Sequence, residues 1–217
     1  MRIFIPSKIL FAMLLLTTSP AQAAFNVWQD AATGMKLAYP DSWARGVNSD
    51  SDRLVTLVAP SSSTAQCHVS ARADKRFMIY PPEYDRAVQK VAYSNDFWQS
   101  YTAKYNEVEF YRMIDGASLG QSIAGYAVAR YKDPRHGGAM RASMMAAALH
   151  HDTAYIFECS ADIQEYNRVR DVFVQIMNSI DFKSIRGIRR IGQYPAAKVP
   201  FIGYVMPDRQ RIRHPEY

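Results

Sequence analysis

Gly116-Ala117-Ser118-Leu119-Gly120 has the Gly-x-Ser-x-Gly spacing that presents a nucleophilic serine in hydrolases. That chemistry needs a strand–turn–helix elbow, so that the helix start supports the developing oxyanion. The residues that follow alternate Ile123, Gly125, Ala127 and Ala129, the period of a strand. A hairpin turn also calls for glycine and serine. Asp133 and His150 or His151 would be partners for Ser118 in chain order, but the turn accounts for the motif and no catalytic residue is assigned.

The histidines are His68, His136, His150, His151 and His214, and none forms a pair at helical metal-site spacing. His150, His151 and Asp152 are the weak candidates for zinc or copper; the expectation is an exposed polar turn without metal. His68 follows Cys67, but strand neighbours face opposite ways, which separates thiol from imidazole. Arg130, Arg135 with His136, and Arg141 are cationic groups that could take an anion, and they read as solvated surface. No phosphate-cradling glycine loop or dinucleotide fingerprint occurs, and no cofactor is expected.

Cys67 and Cys159 are the two cysteines of the chain. A redox pair would more typically be Cys-x-x-Cys, whereas an even count in an exported chain favours a structural disulfide. The first residues point to export. Arg2 and Lys8 are positive, Ile9 to Leu16 is apolar, and Ala21-Gln22-Ala23 is a small-x-small cleavage site, the layout of a signal peptide cut between Ala23 and Ala24. The apolar run is shorter than the roughly 20 residues of a membrane span, and no later segment has that length. The location expected is periplasmic or secreted.

The formal charge is +6, but it is unevenly spread. Residues 1–23 carry two positive charges and residues 185–217 a net five, which leaves 24–184 nearly neutral. A basic face for nucleic acid is therefore not expected on the folded part. The tail, 185–217, is basic and interrupted by Pro195, Pro200, Pro207 and Pro215, and reads as disordered or as a docking extension. Its apolar stretch Val199 to Met206 is either a hook on its own domain or a peptide for a partner, with Phe201, Tyr204, Arg209 and Arg211 the candidate contacts.

These groups need a scaffold, and its pattern is legible. Asn26 to Gln29 and Met35 to Tyr39 read as a hairpin closed at Gly34, and strands are expected at 53–59 and 66–73. From Pro82, apolar residues at Tyr84, Val88, Val91, Trp98, Tyr101 and Tyr105 predict an amphipathic helix, broken near Ser94-Asn95, with that face inward. Four strands follow, at 107–115, 121–132, 139–150 and 153–160, joined by short antiparallel links, the first of them Gly116 to Gly120. Asp162 is placed to cap a last helix whose inner face is Ile163, Tyr166, Val169, Phe173, Ile176, Met177 and Ile180. A short strand at 181–183 closes an α+β domain of about six to seven antiparallel strands flanked by helices.

Gly34, the run Leu37-Ala38-Tyr39-Pro40-Asp41-Ser42-Trp43, the helix near Pro82, the four strands and the ending Ser179-Ile180-Asp181-Phe182 resemble the Mog1/PsbP-like superfamily over Phe25 to Lys183. The resemblance implies an α-β-α sandwich and a binding module, in a group with no shared catalytic motif. Its relatives include an extrinsic photosystem II subunit, a regulator of a small nuclear GTPase, and bacterial envelope proteins. The reading is an exported, non-enzymatic accessory protein docking on an envelope protein or complex. The alternative is a small periplasmic metal-binding protein or enzyme using the His136–Asp152 end of the sheet. Oligomeric state is not legible.

Overall fold

In the computed structural model the described residues are 24–182, apart from Ser49 and Gln121. Two strands, β1 (Phe25–Gln29) and β2 (Lys36–Pro40), form the expected antiparallel hairpin. The main sheet has seven strands: β3 (Ala44–Arg45), β4 (Arg53–Val58), β5 (Gln66–Ala73), β6 (Asn106–Leu119), β7 (Ser122–Asp133), β8 (Ala139–His150) and β9 (Thr153–Asp162). Their order is β3-β4-β5-β9-β8-β7-β6, antiparallel throughout. Four helices cover it: α1 (Arg76–Ile79), α2 (Asp85–Ala92), α3 (Asn95–Thr102) and α4 (Ile163–Asn178).

The interior strand β8 is buried on both faces, which is why its sequence is small and apolar rather than alternating. Met144, Ala146 and Ala148 pack in one core with Cys67, Cys159, Tyr166 and Phe173, beneath α4 and the β1–β2 hairpin. Met145, Ala147 and Leu149 pack in a second core with Tyr93 and Trp98, beneath α2 and α3. Two helical layers thus sandwich one sheet. Alanine at 146, 147 and 148 lets both layers approach closely, and Gly125 does the same on β7: a Cβ there would meet the Tyr93 carbonyl at 2.8 Å.

Three local expectations change. First, β6 runs to Leu119, so Gly116 and Ser118 lie in a strand rather than a turn. The pairing shifts between Asp115 and Ala117, and Gly116 takes φ 83°, so a bulge absorbs the glycine. The turn itself is short and uses Gly120 at φ 57°. Second, Asp162 makes no capping bond to α4; its carboxylate instead accepts from Arg141 at 3.0 Å.

Third, the face of α2 is rotated. Val91 and Tyr84 are exposed, and Gln89 and Ala92 point inward. The cause is the Gln89 amide, which donates to the Ala147 carbonyl at 3.0 Å and accepts from the Leu149 N–H at 2.8 Å. Two buried backbone groups that need partners outweigh a stripe of apolar side chains. The helix breaks at Tyr93-Ser94, close to the expected place, and Trp98 and Tyr105 are buried as expected. The final short strand reduces to a bridge between Lys36 and Asp181.

Candidate functional site

Cys67 and Cys159 face each other across β5 and β9 and form a disulfide on the α4 side. Side chains alternate along a strand, so their neighbours His68 and Glu158 are brought opposite each other on the other side. There α3 and the chain after it cover them and complete a buried polar cluster.

Glu158 is 1% exposed and accepts from three phenols. Tyr101 donates to Oε2 at 2.7 Å, and Tyr105 and Tyr131 donate to Oε1 at 3.0 and 3.1 Å. Tyr105 and Tyr131 stack with ring centroids 3.8 Å apart. His68 Nε2 lies 3.4 Å from Oε2 without hydrogen-bond geometry. Lys104 Nζ sits 3.9 Å from Oε2 and 3.9 Å from the Tyr101 ring centroid, a cation–π contact over a buried carboxylate. Arg135 closes the rim, donating to the Tyr105 hydroxyl at 3.1 Å.

The protonation states follow from burial and neighbours. Burial alone would raise the Glu158 pKa, but His68 when protonated, the Lys104 ammonium and the phenol hydrogen bonds outweigh it, and the carboxyl is held below its usual range. Burial pulls His68 down to about 4, against the attraction of Glu158, so the imidazole is neutral at neutral pH. Burial pushes Tyr101 and Tyr131 well above the usual phenol range. The result is one buried negative charge, three neutral phenols and a half-exposed ammonium. Chemically this is an aromatic–carboxylate cage already filled by its own lysine.

The residues singled out from the sequence are dispersed. Ser118 pairs with Ile123 on β6 and β7, while Asp133 is at the far end of β7, bound to Arg135 and His136. His150 lies against Ser122 rather than Ser118, with a 2.9 Å contact from Nδ1 to Oγ, and stacks on Phe182. His151 turns at φ 56° and its Nδ1 contacts Asp152 at 3.2 Å. The notion of a single His136–Asp152 end of the sheet is overturned. His136 precedes β8 and Asp152 follows it, and twelve extended residues hold the two turns roughly 36 Å apart. Among the described residues no group of three or more His, Cys, Asp or Glu side chains could hold a metal.

The cationic candidates are engaged as well. Arg141 is buried rather than surface, bound to Asp162, Ser160 and the Thr64 carbonyl. Arg130 pairs with Glu109. Phe201, Tyr204, Arg209, Arg211 and His214, like residues 1–23 and the cut between Ala23 and Ala24, lie outside the described residues. What the sequence reading missed is Glu158. The signal was present, because a Cys67–Cys159 bridge between antiparallel strands sets residue 68 opposite residue 158.

No family model and no curated protein matches the chain. Solved structures similar to it include the cyanobacterial PsbP of Synechocystis, with 11% identity over 77% of this chain and 99% of that one, TM-score 0.48. Another is LpqN of Mycobacterium tuberculosis, involved in cell envelope biogenesis, with 12% identity over 74% and 91%, TM-score 0.49. A third is the Ran-binding protein Mog1p of Saccharomyces cerevisiae, with 4% identity over 74% and 96%, TM-score 0.46. The architecture stands on the chain's own described elements: an α+β fold in which one seven-stranded antiparallel sheet lies between helices. No helix among the described residues is long and apolar enough to cross a membrane.

Proposed function

We propose that the chain is an exported, non-enzymatic accessory protein of the bacterial cell envelope that docks on a protein partner or complex. The observation that carries this reading is the disulfide between β5 and β9, which belongs in an oxidising compartment such as the periplasm. The signal-peptide pattern of residues 1–23 supports the same address. The non-enzymatic part rests on the polar cluster, where Glu158 is engaged by Tyr101, Tyr105 and Tyr131 and covered by Lys104.

In this reading the domain is a rigid platform and the tail is the contact. Phe201 and Tyr204 supply aromatic anchors, and Arg209 and Arg211 supply charge-assisted hydrogen bonds, the residue types that carry most of the energy of protein interfaces. The test is in-cell crosslinking followed by pull-down, comparing the whole chain, the chain without 185–217, and F201A/Y204A. A specific partner is recovered with the whole chain and lost with both variants. Recovery of no specific partner with the whole chain, or equal recovery with all three, contradicts the proposal.

A further inference from the structure

The large apolar side chains exposed on the domain are not scattered evenly. Phe25 and Val27 share β1, and Val47 and Val58 lie at the β3–β4 edge, whereas Met78, Ile79, Tyr80, Tyr84 and Val91 fall in one segment, from α1 through α2. Ile79 is 72% exposed and Val91 78%. The rotation of α2 imposed by Gln89 explains the exposure. Tyr84 and Val91 lie on a side that is neither the buried one, with Gln89 and Ala92, nor the basic one, with Arg86 and Lys90, while Val88 is partly buried against the second core. A helix with separate core, apolar and basic sides is built to lie in an interface.

Charge identifies what kind. Between Arg72 and Lys90 there are five basic and three acidic residues, and Arg72, Lys75, Arg86 and Lys90 are all exposed. Apolar and tyrosine side chains ringed by lysine and arginine suit an anionic bilayer surface, where apolar groups sink below the headgroups and basic ones meet lipid phosphates.

We infer that the α1–α2 tip is a membrane-surface site that seats the domain on anionic lipid, independently of any protein partner of the tail. The test is flotation of the chain purified from the envelope fraction, its N-terminus verified, with vesicles of phosphatidylglycerol and phosphatidylethanolamine or of phosphatidylcholine alone. The parent chain floats with the anionic vesicles and less with the neutral ones, and added salt weakens it. Removing two inserted side chains in I79D/Y80D lowers the bound fraction by about tenfold or more, because apolar area that left water on binding is replaced by charge. V91D, a single change on the neighbouring helix, gives a smaller loss in the same direction; both variants keep the parent's far-ultraviolet dichroism because the sites are exposed.

The tail is intact in every variant, so flotation of the variants equal to the parent assigns binding to the tail and overturns the inference. Absence of flotation with either vesicle overturns it too. So does a parent that stays with the buffer but runs as a dimer that I79D/Y80D dissociates, since the tip would then belong to a second copy.

Discussion

Glu158 shows how a single buried charge organises a layer. Its carboxylate takes three phenol hydrogen bonds and faces His68, so loss of the acceptor strands several donors at once. Replacing it with leucine is expected to cost about 3–5 kcal/mol in urea unfolding, the range for breaking a buried charged network. His68 makes a different prediction, of pH dependence. Its folded pKa is about 4 against 6.5 for a free imidazole, so the unfolded chain takes up a proton that the fold refuses. Stability therefore falls as pH drops from 6.5 towards 4, with ~2 kcal/mol lost between pH 7 and 5, and Glu158 adds its own loss at lower pH. In H68Q the loss between pH 7 and 5 shrinks by about that amount. A variant with the parent's pH profile would contradict the assignment.

Helix α2 and strand β6 show where the sequence was legible and where it was not. Strands β7, β8 and β9 were legible because their links carry turn chemistry and are too short for anything but antiparallel pairing. Helix α2 was legible as a helix, but its orientation was not, because one amide on β8's backbone decided it. Q89A leaves the Ala147 carbonyl and the Leu149 N–H without their partner and should cost about 1–3 kcal/mol. V91D, at a position the apolar period would bury, should change stability by no more than about 0.5 kcal/mol. The opposite pair of results in denaturant titrations would restore the inward-facing stripe. On β6, Gly-x-Ser-x-Gly was misplaced because a bulge lets glycine sit inside a strand. The polar site was hidden for a simpler reason: its members lie on β5, α3, β7 and β9, and only the disulfide register joins two of them in the sequence.

At the scale of the molecule, the disulfide ties β5, before helices α1–α3 and strands β6–β8, to β9 after them, at a sequence separation of 92. By chain entropy such a loop is worth ~4–5 kcal/mol, less any strain, so C67A/C159A is expected to lower unfolding free energy by about 2–5 kcal/mol. Both sulfurs are buried beneath α4, so reduction should follow unfolding rather than precede it. This lock also supports the proposed export, since cytosolic thiols would be kept reduced. The most direct measurement is mass spectrometry, without reduction, of the chain recovered from periplasm and cytosol of its host. The account predicts periplasmic material beginning at Ala24 and a linked peptide pair containing Cys67 and Cys159. Cytosolic material with Met1 intact and both thiols free would contradict it.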